Sequence, residues 1–254
     1  MTVSQFDREP SAGPTAEPQV ILHMQNITKR FPGVVALDDV TFDVRQGEVH
    51  CLVGENGAGK STLMNIITGV YTGYDGEIVL NGRPVTFHNT RDAQHAGIAM
   101  IHQELNLVPE LTVYENIFLG REHRTGRVVL NRRSMRRAAQ RLMADLGLDI
   151  DTNRPISRLR VGQRQLVEIA KALSLNARII IMDEPTSALS ESEVEYLFGV
   201  IRRLRAHDVA MIYISHRLDE IFAIADRVTV LRDGRVAGTT LAEGLTRRHL
   251  INMM

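Results

Sequence analysis

The run of residues 54–62 contains the phosphate-binding pattern GxxxxGK[ST], whose eight positions are filled by residues 54–61. The glycines can adopt backbone conformations that turn successive N–H groups inward around an anion. The lysine would place a positive charge on the β and γ phosphates of a nucleotide, and the serine would offer its hydroxyl to Mg²⁺. The residues of this phosphate loop predicted to bind the nucleotide are Gly54, Glu55, Asn56, Gly57, Ala58, Gly59, Lys60, Ser61 and Thr62.

The segments on either side of the phosphate loop have strand and helix character. Residues 48–53 are apolar enough for a short buried strand, and residues 61–68 continue as a helix. A helix that begins near Gly59 would direct its positive dipole end and its free N–H groups at the phosphates. The loop therefore predicts nucleotide binding rather than a chance glycine-rich turn.

Two adjacent carboxylates end a second apolar strand, residues 178–183. Ligands of α/β sheets collect at the carboxyl ends of the strands. Asp183 is therefore predicted to bind Mg²⁺, and Glu184 to polarise the water that attacks the γ phosphate. The alternative is that the pair only caps the next helix. Pro185 follows at once, and a capping box begins later, at Ser190, which favours the catalytic interpretation.

Composition and charge exclude several classes of protein. The 254 residues are 44% hydrophobic, enough for a large core, and 30 basic residues balance 30 acidic ones. The balanced charge gives no overall field toward nucleic acid or an anionic membrane. The single cysteine, Cys51, excludes a disulfide within the chain and fits a core position in a reducing cytoplasm. The longest apolar runs, such as 179–182 and 209–214, are far shorter than the roughly 20 residues needed to cross a bilayer.

The order of apolar segments predicts an α/β fold. Residues 1–18 are rich in Pro, Ser, Gly and acids and are predicted to be a disordered leader, so that the folded domain is 19–254. Strands that alternate with helices imply a mainly parallel sheet covered on both faces, antiparallel strands on the N-terminal side, and a helical insertion at about 104–176. Strands are expected at 20–26, 37–45, 48–53, 77–80, 98–101, 178–183, 209–214 and 227–232, and at 235–239 after an Asp233-Gly234 hairpin turn.

A segment upstream of the acid pair resembles the LSGGQ signature of ATP-binding cassette (ABC) proteins. It enters a helix expected at 165–174 and lies at the family's usual distance before Asp183. The resemblance covers about residues 20–254 and implies a P-loop NTPase (RecA-like) core, with ATP and Mg²⁺ as cofactors. The signature residues, expected to face an ATP held by another cassette, are Leu159, Arg160, Val161, Gly162 and Gln163.

Other positions match the family's functional residues in order. Phe31 takes the aromatic position that stacks on adenine, although a core position is the alternative. Gln103 resembles the Q-loop residue that senses Mg²⁺ and the attacking water, and residues 187–190 resemble the D-loop. His216 resembles the histidine that contacts the γ phosphate; alone, it would be read as a cap or surface residue. The resemblance implies catalytic roles for Lys60, Gln103, Glu184 and His216, and Mg²⁺ binding by Ser61, Gln103 and Asp183.

A basic stretch, 121–141, raises the alternative of nucleic-acid binding. No aromatic residues interleave with its arginines to stack bases. Residues 132–141 have helical spacing, with Met135, Ala138 and Ala139 available for an inner face. The pattern favours a solvated helix face and no nucleic-acid partner, with some contact to a partner or to anionic headgroups left open.

The amino-acid sequences of the motifs resemble those of one group within the ABC family, the bacterial monosaccharide importers of ribose, xylose and galactose type. The similar segments are 56–71, 100–122, 167–174 and 214–222. In that group two cassettes usually share one polypeptide, and this chain resembles the first; its last segment, 246–254, reads as a helix without a stop signal, as if a second cassette followed. The implied partners are a second cassette, membrane-spanning permease subunits and, indirectly, a periplasmic sugar-binding protein. The implied location is the cytoplasmic face of the cell membrane.

The signature departs from LSGGQ at two positions. Arg160 replaces the serine whose hydroxyl is directed at the γ phosphate, and Val161 replaces a glycine where backbone may need to come close. First cassettes of sugar importers often carry such a weakened signature. The resemblance therefore implies that the hydrolytic site combines this chain's phosphate loop with the signature of another cassette.

A non-catalytic, ATP-dependent regulatory or clamp module is the rival interpretation. Glu184 and His216 argue against a purely binding role. DNA-repair cassettes carry a coiled-coil or zinc insertion, which the single cysteine and the short middle segment exclude. Ribosome-acting cassettes come in pairs with a charged linker, which is absent from this sequence.

Overall fold

The computed structural model describes residues 19–125 and 129–254. The predicted leader, 1–18, lies outside the described residues, as does Arg127 of the basic stretch. The strands, in chain order, are β1 Val20–Phe31, β2 Val34–Arg45, β3 Val49–Val53, β4 Asp75–Leu80, β5 Arg83–Val85, β6 Ile98–Ile101, β7 Arg124–Thr125, β8 Val129–Leu130, β9 Ile179–Asp183, β10 Ala210–Ile214, β11 Arg227–Arg232 and β12 Arg235–Leu241. The helices are α1 Lys60–Ile67, α2 Thr90–His95, α3 Val113–Ile117, α4 Arg132–Asp145, α5 Val161–Leu173, α6 Glu191–Ala206, α7 Leu218–Ile224 and α8 Arg247–Met253, with a 3₁₀ turn at Ile156–Arg158.

The central sheet has the strand order β12-β11-β3-β10-β9-β6. All its pairings are parallel except β11 with β12. Side chains of β9 alternate between two apolar cores: Ile180 and Met182 face the core with α5 and α6, and Ile179 and Ile181 face the core with α1. The predicted mainly parallel sheet covered on both faces is therefore confirmed. Cys51 in β3 is buried, as expected.

The predicted antiparallel strands form a separate sheet of order β2-β1-β4-β5. Here the expected strand limits were wrong, because β1 continues to Phe31 and β2 already begins at Val34. Register shifts interrupt the pairing of β1 with β2 between Met24 and Arg30. These irregularities break the alternation of buried and exposed residues, so the sequence pattern ended the strand too early.

The segment between β6 and β9 is mainly helical, as predicted, and also contains the short β7–β8 hairpin. Helix α5 begins at Val161, four residues earlier than expected, so the predicted start at Gln165 was wrong. Arg160 is the N-cap residue, and its N–H donates to Gln163 Oε1 over 3.1 Å. The cap starts the helix before the apolar periodicity begins.

Helix α4 carries most of the basic stretch on an exposed face. Met135, Ala139 and Met143 are its buried residues, whereas the arginines of α4 are exposed, so the predicted helix face is confirmed. Arg121 does not belong to that face. Its guanidinium is half-buried and donates to Ile117 O and Ser174 O and Oγ. Among the described residues, no helix is both long and apolar enough to span a membrane.

Candidate active site

The phosphate loop connects β3 to α1, with Gly59 at the N-cap. The φ angles of Gly54, Gly57 and Gly59 are 154°, 86° and 103°, a region that favours glycine. At two of these glycines the neighbouring atoms also leave no room for a side chain. A Cβ on Gly54 would lie 2.1 Å from Leu231 O, and one on Gly59 would lie 2.7 Å from Ala36 O. Other backbone therefore packs directly against the loop.

The β11–β12 turn holds the loop from outside. Asp233 and Gly234 both have positive φ, 50° and 75°, so the predicted two-residue hairpin is confirmed. Gly234 N–H donates to Ala58 O over 3.2 Å, and Gly234 O accepts from Asp38 N–H over 2.8 Å. The turn thus links the phosphate loop to strand β2.

The ammonium of Lys60 folds back over the phosphate loop. Its Nζ donates to Gly54 O over 2.7 Å and to Glu55 O over 2.9 Å. Burial lowers the pKa of Lys60, and the carboxylates of Glu184 and Asp183 oppose that shift. An ammonium has three N–H donors, so one is left for a phosphate oxygen.

A cleft of about 270 Å³ opens beside this ammonium. Most of the predicted binding residues line it: Asn56, Gly57, Gly59, Lys60, Ser61 and Thr62 from the phosphate loop, with Gln103 from the segment after β6 and Asp183 and Glu184 from the end of β9. The strands β3, β10, β9 and β6 lie side by side and parallel in one sheet, so their carboxyl ends meet at the same edge. The topology therefore assembles residues that are far apart in sequence.

The two acids at the end of β9 differ in their surroundings. Burial raises the pKa of Asp183, and the neighbouring charge of Glu184 raises it further. Glu184 has φ 49°, which is strained for a residue with a side chain. Its N–H donates to Ile214 O over 3.0 Å, which fastens this backbone to the end of β10.

His216 follows β10 and turns its ring toward Glu184. Its Nδ1 lies 2.8 Å from Oε1 and 2.7 Å from Oε2 of that carboxylate. The ring is 71% exposed, whereas the Glu184 side chain is 19% exposed. His216 does not line the cleft itself and reaches it through Glu184.

Phe31 ends β1, outside the residues that line the cleft. Its ring meets Tyr71 edge to face, with centroids 5.2 Å apart. Lys29 Nζ lies over both rings, 5.1 Å from the Phe31 centroid and 5.5 Å from that of Tyr71, and bonds Gly73 O. Stacking of Phe31 on adenine stays a prediction. Lys29 is two residues from Phe31 on the same strand face, a period-two signal that could have revealed the cluster.

The signature residues divide between core and surface. Leu159 is buried in the core beneath the helices, whereas Arg160 and Val161 are exposed. Gly162 N–H donates to Glu193 Oε1 over 3.3 Å, and a Cβ on Gly162 would lie 2.7 Å from that oxygen. The close approach of Glu193 therefore explains, from contacts within this chain, why residue 162 is a glycine. The role of the signature toward ATP stays a prediction.

Comparisons with known proteins agree with this geometry. A family model described as ABC transporter matches residues 37–187. The chain belongs to the ABC transporter family. The ABC cassette fold predicted above is confirmed by a nucleotide-free ATP-binding cassette from an ABC transporter, with 28% identity and a TM-score of 0.80 over 92% of this chain and 95% of that one. A dimeric, post-hydrolysis ATP-binding cassette bound to ADP and Pi has 26% identity and a TM-score of 0.72, over 89% of this chain and all of that one.

Relatives of this ABC cassette carry names of sugar import proteins. A ribose import ATP-binding protein from Rubrobacter xylanophilus is 53% identical over 92% of this chain and 46% of the relative. A xylose import ATP-binding protein from Moorella thermoacetica is 52% identical over 92% of this chain and 47% of the relative. The resemblance to monosaccharide importer cassettes is therefore confirmed. The chain spans about half the length of the curated relatives it matches.

Several polar contacts of the ABC cassette were not predicted. Lys171 on α5 donates to Asn106 O, three residues after Gln103, over 2.9 Å, and its Nζ lies 3.7 Å from Glu168 Oε1. Burial raises the pKa of Glu168, which is 7% exposed. The helix that begins at the signature is thereby joined to the loop that carries Gln103. A charged pair three residues apart on a helix resembles an ordinary surface pair, so this contact could not be predicted from the sequence pattern.

Proposed function

We propose that this chain is the ATP-binding and ATP-hydrolysing cassette of an importer for a monosaccharide or related carbohydrate. The observation that carries the proposal is the single cleft that unites the phosphate loop with Gln103, Asp183 and Glu184, beside the Glu184–His216 pair. The names of the relatives support the choice of sugar import.

The cleft suits Mg²⁺ as well as nucleotide. Ser61, Gln103 and Asp183 line the same space, and their side chains carry a hydroxyl, an amide oxygen and a carboxylate, the oxygen donors that Mg²⁺ prefers. These three residues would hold the ion, which when bound neutralises charge on the phosphates.

The reaction is in-line attack of water on the γ phosphate. Lys60 directs its remaining N–H at phosphate oxygens, and the backbone N–H groups of the phosphate loop donate to the other phosphate oxygens. Glu184 orients the attacking water and accepts its proton. His216, held by Glu184 through Nδ1, presents its other ring nitrogen toward the γ phosphate.

Hydrolysis needs a second cassette in this proposal. The exposed Arg160 lacks the short hydroxyl that the signature directs at ATP, and Val161 adds a branched side chain beside it. The productive site therefore joins this phosphate loop to the partner cassette's signature, whether that cassette is in the same polypeptide or a separate chain. The dimer of a related cassette supports such pairing.

The other partners are membrane-spanning permease subunits and, indirectly, a periplasmic sugar-binding protein. The cassette would then lie on the cytoplasmic face of the cell membrane. ATP binding closes the two cassettes, hydrolysis reopens them, and the groove beside the helical insertion passes the motion to the permease.

The proposal is tested by Glu184→Gln in the assembled transporter, with the exposed Glu195→Gln on α6 as control. We expect ATP turnover to fall about 100-fold or more for Glu184→Gln and to stay normal for the control. Near-normal hydrolysis in Glu184→Gln would sink the assignment. A wild-type complex that binds ATP without turnover would favour the regulatory-module alternative.

The weakened signature has its own experiment, the double change Arg160→Ser and Val161→Gly. Restoring the short hydroxyl and the glycine should raise the hydrolysis rate or the number of ATP molecules occluded per transporter. If both quantities stay unchanged, the departure is neutral and the asymmetry is refuted.

A further inference from the structure

A buried carboxylate, Glu220, lies behind the Glu184–His216 pair. It belongs to the first turn of α7 and is 3% exposed. Oε1 accepts from Thr186 Oγ1 over 2.7 Å, and Oε2 accepts from Tyr213 OH over 2.8 Å and from Ser215 Oγ over 2.9 Å. The guanidinium of Arg217 pairs with Oε1 at 2.8 Å.

The partners of Glu220 come from both catalytic loops. Thr186 lies two residues after Glu184, in the loop that follows β9. Ser215 directly precedes His216, in the loop that follows β10, and its hydroxyl also accepts from Arg217 N–H over 3.0 Å. The Glu220 carboxylate therefore holds together the loop that follows Glu184 and the loop that carries His216.

The hydrogen bonds that the buried Glu220 carboxylate requires keep the arrangement rigid. A buried carboxylate needs hydrogen-bond donors for both oxygens, and each donor that is lost leaves a polar group without a partner. Three hydroxyls and a guanidinium meet that need here. Movement of either loop away from Glu220 would break these bonds.

We propose that Glu220 is a positioning residue for hydrolysis, which sets the spacing between Glu184 and His216 through Thr186 and Ser215. It does not line the cleft, so it acts only through the two loops. The inference rests on the proposed ATPase function.

The three hydroxyls provide a matched comparison. Tyr213 binds the same carboxylate as Thr186 and Ser215, but it lies within strand β10 rather than in a catalytic loop. A purely structural role for Glu220 predicts similar effects from losing any of the three hydroxyls. A positioning role predicts that the two loop hydroxyls matter for catalysis and that the strand hydroxyl does not.

The first readout is steady-state hydrolysis by the assembled transporter. Thr186→Val and Ser215→Ala should each lower kcat about tenfold and leave KM for ATP within about twofold, because binding groups are untouched. Thr186→Ser, which keeps the hydroxyl, should have the wild-type kcat. Tyr213→Phe should also have the wild-type kcat, although it should lower thermal stability as much as Thr186→Val and Ser215→Ala do. Equal kcat values for Thr186→Val, Ser215→Ala and Tyr213→Phe would overturn the proposal.

The second readout needs no turnover. In the ¹⁵N NMR spectrum of this chain, the imidazole signals of His216 are assigned by their loss in His216→Gln. We expect them to shift in Thr186→Val and Ser215→Ala and to remain in place in Tyr213→Phe. Unchanged signals in both loop variants would overturn the positioning role. A wild-type transporter without hydrolysis would refute the proposed function and leave this readout intact.

Discussion

The Nδ1 atom of His216 contacts both carboxylate oxygens of Glu184, at 2.7 and 2.8 Å. Nδ1 therefore serves the carboxylate, and Nε2 is the ring nitrogen available to a phosphate. Because the Glu184 backbone is itself bonded to Ile214, the loops after β9 and β10 are coupled through main chain as well as side chains.

Loss of the His216 ring should separate catalysis from binding. We expect His216→Ala to lower single-turnover hydrolysis about 100-fold, because the proposed contact of the imidazole with the γ phosphate is removed. Equilibrium ATP affinity should change only slightly, since the phosphate loop is intact. The exposed His95→Ala on α2 is the control. A parallel fall of affinity and rate would place His216 in binding instead.

Gly54→Ala and Gly57→Ala should differ in stability. The Cβ at position 54 meets the backbone oxygen of Leu231, whereas nothing lies within 4 Å of the Cβ at position 57. Both have positive φ, so both substitutions are strained, and the overlap adds about 1–3 kcal/mol for Gly54→Ala only. Urea denaturation measures the difference. Equal losses would show that backbone angle alone matters.

Gly162→Ala should destabilise the start of α5. The added methyl group displaces Glu193, which also caps α6 through the N–H and hydroxyl of Ser190, and loss of such a cap costs about 1 kcal/mol. Gly199→Ala within α6, where nothing lies within 4 Å, should instead stabilise by about 0.5–1 kcal/mol.

A double-mutant cycle isolates the Gly162–Glu193 contact. In a Glu193→Ala background the penalty of Gly162→Ala should largely disappear, because the side chain it displaces is gone. A penalty that persists unchanged would assign the glycine to some other contact.

Asp183→Asn should stabilise the protein at neutral pH. Burial and Glu184 raise the folded-state pKa of Asp183, so the folded chain holds this proton more tightly than the unfolded chain. The ionised carboxylate therefore costs stability above its folded pKa, and the cost vanishes as the pH falls below the unfolded value of roughly 3.9.

Thermal melts of Asp183→Asn across pH test this sign. At pH 7.5 we expect a higher Tm than wild type, by about 2–4 °C for each kcal/mol, and a shrinking difference as the pH falls. The exposed Asp149→Asn serves as control. A lower Tm for Asp183→Asn at pH 7.5 would contradict the prediction.

The sequence alone was sufficient to predict those parts of the site that directly follow an apolar strand. The phosphate loop and the acid pair follow apolar strands directly, so residue type, spacing and strand polarity placed Lys60, Asp183 and Glu184 at one edge. His216 and Gln103 needed the family resemblance, because a single histidine or glutamine after a strand has many possible roles.

The supporting contacts could not be read from the sequence. Glu220 lies 34 residues from Thr186, and a glutamate in the first turn of a helix normally indicates an exposed residue that favours the helix dipole. Glu193 fitted a capping box, which is confirmed, but its bond to Gly162 depends on how two helices pack. Such contacts are fixed by tertiary packing, which local patterns do not encode.

The hairpin turn against the phosphate loop has a consequence for nucleotide affinity. Because Gly234 is bonded to Ala58 and strand β11 abuts Gly54, the loop has little conformational freedom to lose when an anion arrives. The conformational entropy of the phosphate loop is therefore lost when the chain folds, before a nucleotide binds. Nucleotide exchange by this cassette should therefore be governed by electrostatics and solvation, with little contribution from loop rearrangement.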